Sequence, residues 1–246
     1  IVNGVSSGAP KITRLNSTGG VYAGGSASFP TGEITALAVD SVNYGVNTRV
    51  LAGGDFTGAA ILPNGSTANG FVSLLYGQSP DTNTMGLGGG GTNYVRSIAV
   101  QPDGKYVIGG HFFRGSEQGI TRTLSESSDD ATFNAPAVSG LVSSIALAPD
   151  GKIYIAGFFS YTGAPSTYVA RLNADVSNDP TFVPPTLDDQ AHAVAVLPNG
   201  KVVVAGEFTS ANGNTTYAKL ARLNTNGSLD TTFVPPAFNN NLYALG

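Results

Sequence analysis

Four times in this chain an apolar run ends in Gly-x-Phe: Gly54-Asp-Phe56, Gly110-His-Phe112, Gly157-Phe-Phe159 and Gly206-Glu-Phe208, at intervals of 56, 47 and 49 residues. A hairpin that returns at a regular interval is a building unit rather than an isolated site. In the last three copies a second apolar run and a tight turn precede it, as in Ile145-Ala-Leu-Ala-Pro-Asp-Gly-Lys-Ile-Tyr-Ile-Ala-Gly157. The turns Pro102-Asp-Gly104, Pro149-Asp-Gly151 and Pro198-Asn-Gly200 have a mechanism. Proline presets the first turn residue, Asp or Asn bonds back to the backbone, and glycine accepts positive φ. Spacing near fifty, with two clear strands and room for two more, is the range of a four-stranded propeller blade. Helical solenoids are excluded, because no window sustains a 3.6-residue period.

The chain reads as one all-β propeller, 1–246, of about five four-stranded blades, or as a segment of a larger propeller. Its units run 1–33 (partial), 34–93, 94–140, 141–190 and 191–241, with 242–246 starting another. In the first, a strand at Ile12–Asn16 leads into a glycine-rich loop reaching Ser28 and Phe29. The second replaces the Pro-Asp-Gly turn by an insertion at Asp40–Thr48, has its third strand expected at Phe71–Leu75 and is irregular from there through Gly91. Third strands are expected at Ile120–Leu124, Val169–Asn173 and Leu220–Asn224, and fourth strands from Thr132, Thr181 and Thr232. First strands alternating large, Ala, large, such as Val194-Ala-Val196, suit burial on both faces where blades crowd together.

Arg122, Arg171 and Arg222 precede Asp130, Asp179 and Asp230, each by eight positions; where Leu74 replaces the arginine, the aspartate is absent too. The spacing predicts an ion pair within each blade, one whose loss would cost far more if buried than if exposed.

Composition limits the partners. Thirty-three glycines and only 11% charged residues are far from a helical composition, while 41% apolar residues argue against disorder. A net charge of −4 without a lysine or arginine cluster leaves no footprint for nucleic acid or an anionic membrane. No run approaches the roughly 18 residues of a membrane span, so no membrane insertion is expected. With no cysteine, thiolate metal sites and a cysteine nucleophile are removed together. The single methionine is Met85, so the sequence reads as a processed product or a piece of something longer.

The run Val194-Ala-Val-Leu-Pro-Asn-Gly-Lys-Val-Val-Val-Ala-Gly-Glu-Phe208, followed by Leu220-Ala-Arg-Leu-Asn-Thr-Asn-Gly-Ser-Leu-Asp-Thr-Thr-Phe233, resembles the delta-60 repeat β-propeller family. The resemblance is close from Tyr94 onward and recognisable, with insertions, before it. It implies a large secreted or surface bacterial protein, or a virion-associated one, and carries no catalytic residues over.

Other features have ordinary explanations. Gly86-Leu-Gly-Gly-Gly-Gly91 formally fits a phosphate loop but opens no helix. The segments Asn173–Asp179 and Asn224–Asp230 alternate oxygen side chains but lack the length and terminal glutamate of a calcium loop. The equivalent positions Asp55, His111, Phe158 and Glu207, with Asp188, Asp189 and His192, are the candidate binding rim. Tyr22, Tyr44, Tyr76, Tyr94 and Tyr161 in or beside loops could stack on sugar rings. No Ser-His-Asp or paired-carboxylate spacing is present, and no metal or cofactor is called for. The expected function is a non-enzymatic structural or adhesive module of a cell surface, extracellular assembly or virion, in contact with other protein subunits. Glycan binding is the runner-up, and a hydrolase or lyase with a channel-mouth site ranks below it.

Overall fold

The computed structural model describes residues 2–4, 11–15, 21–28, 32–42, 49–56, 69–75, 84–86, 93–114, 117–124, 128, 130–133, 138–161 and 168–246. The described residues are almost entirely strand and turn, and five antiparallel sheets follow the repeat. β1 (Val2–Gly4), β2 (Lys11–Leu15) and β3 (Val21–Ser28) form the first, described by backbone alone. β4 (Ile34–Asp40), β5 (Arg49–Gly54), β6 (Gly70–Leu75) and β7 (Thr84–Gly86) form the second. The third holds β8 (Tyr94–Val100), β9 (Tyr106–Arg114) and β10 (Glu117–Thr123). β11 (Val138–Leu147), β12 (Ile153–Tyr161) and β13 (Val169–Leu172) make the fourth. β14 (Ala191–Val196), β15 (Val202–Gly206) and β16 (Leu220–Leu223) make the fifth. The architecture is that of a β-propeller, built as two compact units: Ile1–Gly115 with Arg122–Asp130, and Ser116–Thr121 with Ala131–Gly246.

The turns close as their sequence dictates. Gly104, Gly151 and Gly200 lie at φ 83°, 84° and 77°. Their amides donate to Gln101, Ala148 and Leu197 carbonyls at 2.9, 3.0 and 2.9 Å. Asp103, Asp150 and Asn199 accept the amides of Lys105, Lys152 and Lys201, two residues on, through Oδ1 at 3.2, 3.1 and 3.1 Å.

The first strand of each repeated hairpin carries a β-bulge at the same place. Register slips between Ile34 and Ala36, Val95 and Ser97, Val142 and Ser144, and Ala191 and Ala193. Opposite each slip stands the repeated glycine: Gly54, Gly110, Gly157 or Gly206. A bulge bends its strand and increases the local twist. Here the bend points a carbonyl at the glycine. A Cβ on these glycines would fall on the carbonyl oxygen of Glu33, Tyr94, Leu141 or Gln190, far inside contact distance. The glycine of Gly-x-Phe is therefore required by close backbone approach, and the following phenylalanines Phe56, Phe112, Phe159 and Phe208 are all buried.

The core lies between neighbouring sheets of each unit. In the first unit Ala36, Leu51, Phe71, Val95, Ile108 and Phe112 pack together; in the second, Ala156, Val169, Val194, Val204 and Phe208 do so. Second strands are buried almost throughout, whereas first strands are only partly buried. Burial on both faces of the first strand therefore does not hold: β8 and β11 are half-buried along most of their length, and in all four copies the first strand is the edge of its sheet.

Three local expectations change. The glycine-rich loop after Ile12 contains strand β3. No strand begins at Thr132, Thr181 or Thr232, where turns stand instead; among the described residues the one four-stranded sheet is the irregular second, completed by β7. Residues 242–246 form no strand, although the Leu242 amide donates to the Gly206 carbonyl at 3.2 Å. The insertion beyond Val42 and the glycine run after Gly86 lie outside the described residues.

The divergent second sheet has its own polar anchor. Asp40 and Arg49 are cross-strand partners, both buried, and the Tyr106 hydroxyl donates to Asp40 Oδ2 at 2.6 Å. Burial, with the Asp40 hydrogen bond second, pushes the Tyr106 phenol well above its usual range. Tyr106→Phe removes a donor from a buried carboxylate and is expected to lower unfolding free energy by about 1–3 kcal/mol, read from urea denaturation.

Candidate functional site

The repeated acid is the centre of a charged cluster that recurs in three sheets. In each outer hairpin the aspartate amide bonds the arginine carbonyl: Asp130 to Arg122, Asp179 to Arg171 and Asp230 to Arg222, at 3.5, 3.2 and 2.8 Å. That pairing sets both side chains on one side. Arginine Nε then meets aspartate Oδ2 at 2.7, 2.7 and 2.6 Å respectively. A third member comes from the inner turn. Lys105, Lys152 and Lys201 place Nζ on the same Oδ2 atoms at 3.1, 2.8 and 2.7 Å.

The other carboxylate oxygen explains the Thr-Phe landmark. Asp179 Oδ1 accepts the Thr181 amide at 3.0 Å and hydroxyl at 2.6 Å, and Asp230 does the same with Thr232 at 3.1 and 2.6 Å. This is an Asx turn, which competes with strand pairing; it is why no fourth strand starts there. The next residue covers the cation: Arg171 lies 4.9 Å from the Phe182 ring centroid and Arg222 lies 4.7 Å from that of Phe233. Such contacts add cation–π attraction to the ion pair. Lysine, arginine, aspartate, threonine and phenylalanine thus form one staple tying the inner turn, third strand and outer segment.

Burial raises the Asp179 carboxyl, but hydrogen bonds from Lys152, Thr181 and Arg171 outweigh it and hold the group well below the usual carboxylate range. For Asp230 the Lys201 hydrogen bond leads, with Thr232 and Arg222 adding to it against burial, and the direction is the same. A carboxyl lowered in the folded state stabilises above its unfolded pKa, and the contribution is lost as pH falls through the folded value. The urea midpoint is therefore expected to stay flat from neutral pH to about pH 4, near the unfolded aspartate value of ~3.9. Below that it falls steadily, as a pH series of urea curves would record.

The two alternating-oxygen segments are turns of the outer hairpin. Asn173 and Asn224 donate Nδ2 to Ser177 and Ser228 Oγ at 2.9 and 3.0 Å, while Asp175 and Asn226 accept those serine amides at 3.0 Å. Their oxygens serve the loop itself.

The rim positions are placed as follows. Asp55 accepts the Glu33 amide, fastening the sides of the bulge together. His111 stacks on Tyr94 at 5.7 Å and meets Phe113 edge-on at 5.9 Å, with Arg96 4.9 Å over the Tyr94 ring. Phe158 is 58% exposed, its ring 6.0 Å from that of Tyr168. His192, on the bulge of β14, sits 2.7 Å from Glu207 and 4.8 Å from the Tyr243 ring. The His192 hydrogen bond, ahead of weaker neighbours, lowers the Glu207 carboxyl. Asp188 and Asp189 are turned to other work. Asp188 accepts the Thr209 and Ser210 amides at 2.8 and 2.9 Å as well as the Thr209 hydroxyl. Burial raises its carboxyl, but those bonds prevail and lower it to about 2. Asp189 accepts the Gln190 amide at 2.8 Å. Among the described residues, no group of three or more His, Asp or Glu side chains is arranged to hold a metal ion. The side chains of Tyr22, Tyr44, Tyr76 and Tyr161 lie outside the described residues.

The sequence reading overlooked the lysine and the bulge. Lysine follows the turn glycine in all three regular copies, which was the available signal. The bulge residues Thr35, Arg96, Ser143 and His192 share no residue type and leave none.

A family model agrees on the fold. Three segments, residues 101–133, 148–182 and 197–233, match a family model described as a β-propeller domain of unknown function, DUF5122. Each spans an inner turn, the second and third strands and the Thr-Phe turn, so the match falls on the three stapled copies. No curated protein sequence matches the chain. Among solved structures, YCF48 bound to a D1 peptide is similar at 12% identity and a TM-score of 0.41, over 82% of this chain and 52% of that one. The present chain thus spans about half the length of that protein. A provisionally assigned glycoside hydrolase from Parabacteroides distasonis is similar at 14% identity and a TM-score of 0.38, over 83% and 73%. A provisionally assigned glycosidase from Bacteroides thetaiotaomicron stands at 14% and 0.37, over 86% and 77%.

Proposed function

We propose that this β-propeller is a non-enzymatic structural or adhesive module. It makes protein–protein contacts within a bacterial surface, an extracellular assembly or a virion. The observation that carries the reading is the use made of the repeated charges. Asp130, Asp179 and Asp230 are each bound by a lysine and an arginine, so the part the repeat preserves is spent on rigidity. The position after the repeated glycine instead carries acid, imidazole or phenyl in turn. A rigid frame with a varied rim suits recognition of partner surfaces, and fold alone supplies no chemistry.

The test is a photo-crosslinking phenylalanine analogue at Phe158, which is exposed enough to carry one without disturbing the fold. Irradiation in the producing cell or particle is expected to yield a discrete adduct with a protein subunit, identified by mass spectrometry. Adducts with carbohydrate alone, or none, would overturn the reading.

The Phe158–Tyr168 pair gives glycan binding its support, since exposed rings stack on sugar faces. A glycan array probed with wild type and Phe158→Ala separates the two readings. Specific hits lost in the variant would favour the lectin.

A further inference from the structure

Asn-Gly recurs at Asn69-Gly70, Asn199-Gly200, Asn212-Gly213 and Asn226-Gly227. Three of these glycine amides are engaged: Gly70 donates to the Phe56 carbonyl at 3.0 Å, and Gly200 and Gly227 donate to the Leu197 and Asn224 carbonyls at 2.9 Å. In the last two, glycine is the fourth turn residue, so its amide makes the bond that closes the turn. Asn212-Gly213 sits differently. Ala211 and Asn214 exchange amide-to-carbonyl bonds at 3.2 and 3.0 Å, and both residues between them are left-handed, Asn212 at φ 51° and Gly213 at φ 75°. This is the two-residue hairpin turn for which Asn-Gly is the favoured pair. Its closing donor is Asn214, and the Gly213 amide has no hydrogen-bond acceptor among the described residues. Asn212 and Gly213 are exposed, and nothing lies within 4 Å of a Cβ at Gly213.

We propose that Asn212-Gly213 is a self-modification site, at which the chain converts Asn212 to aspartate and isoaspartate as it ages. The Gly213 nitrogen attacks Asn212 Cγ and closes a succinimide ring. The Cγ–Nδ2 bond breaks, and Nδ2 leaves as ammonia with the proton from Gly213. Water then opens the ring at either carbonyl, so no oxidant or cofactor is needed. A glycine amide already bonded to a carbonyl must first give up that bond; Gly213 has none to give up. Asn212 Oδ1 accepts the Thr186 amide at 2.9 Å, a donor placed where negative charge develops during attack. Asn199 and Asn226 Oδ1 also accept backbone amides, of Lys201 and Ser228 at 3.1 and 3.0 Å, so the glycine amide is what sets Asn212 apart. The site is also a clasp. The Asn212 amide donates to the Thr186 carbonyl at 2.8 Å while Oδ1 holds the Thr186 amide, fastening the segment that leads into Asp188 and Asp189. Isoaspartate lengthens the main chain here by one methylene and releases the Thr186 amide. The chemistry stands whatever the rim contacts.

The experiment incubates the folded chain at 37 °C in mildly alkaline buffer, then maps it by tryptic digestion and electron-transfer mass spectrometry, which separates isoaspartate from aspartate. Cleavage after Lys201 and Lys219 places Asn199, Asn212 and Asn226 on different peptides. Conversion at Asn212 is expected to run at least tenfold faster than at Asn199 or Asn226. In the urea-unfolded chain the three rates should converge, because the turns that distinguish them are gone. Conversion at Asn212 no faster than at the other two in the folded chain overturns the proposal. The converted fraction, isolated by ion exchange on its added negative charge, should show Thr186 amide exchange at least tenfold faster than fresh protein. Unchanged Thr186 protection would overturn the clasp.

Discussion

Gly157→Ala is expected to be severely damaging, as at the equivalent glycines, costing about 4 kcal/mol or more and at 37 °C preventing the fourth sheet from forming. The backbone of Gly157 needs no left-handed conformation, so glycine is not there for its φ. It is there because the bulge between Val142 and Ser144 aims the Leu141 carbonyl at the space a Cβ would occupy. The obstruction is backbone on a paired strand, which can yield only by giving up the register of β11 against β12. Gly213→Ala is the control. Its φ is 75° but nothing lies within 4 Å of a Cβ, so the cost is conformational alone, about 1–2 kcal/mol. Thermal unfolding of the two variants should separate them clearly; equal midpoints would show that the bulge relaxes freely.

Asp179→Asn is expected to cost about 3–5 kcal/mol, because it leaves two cations without their counter-charge. Arg171 is the more deeply placed of the two, packed between Tyr154 and Phe182 and bonded to Tyr154 at 3.2 Å. Burial lowers its pKa, but bonds to Tyr154 and Asp179 outweigh this and the guanidinium is held protonated. It therefore cannot escape by losing its proton, and its less buried equivalent Arg222 makes a natural comparison. Asp179→Asn keeps the Asx acceptor for Thr181, so the loss reports charge rather than turn geometry. Guanidinium unfolding, monitored by circular dichroism, reads the difference.

Much of the fold is legible because each element depends on neighbours close in sequence. The Pro-Asp-Gly turns and their glycines need only local backbone rules. The Arg-to-Asp spacing is visible because eight residues is the length of one hairpin closed by a tight turn. Lys152 reaches Asp179 from 27 positions away across two strands, so its role appears only once the sheet is built. The bulge is less visible still, since it is a property of register and its residues differ from copy to copy. The supposed fourth strands were misread because Asp-x-Thr-Phe looks extended and apolar, whereas the threonine caps the aspartate and the phenylalanine covers the arginine. At the rim the sequence marks the variable position after glycine but not what it meets. His192 facing Glu207 and Tyr243, rather than Asp188 and Asp189, follows from which strand bulges.

The central claim is that the repeated acid, base and hydroxyl are a structural staple and not a site. A double-mutant cycle on Arg171 and Asp179, using Arg171→Met and Asp179→Asn and measuring unfolding free energies at pH 7, tests it most directly. The account predicts a coupling of about 1–3 kcal/mol, falling toward zero when the cycle is repeated well below pH 3. Coupling within error of zero at pH 7 would contradict it.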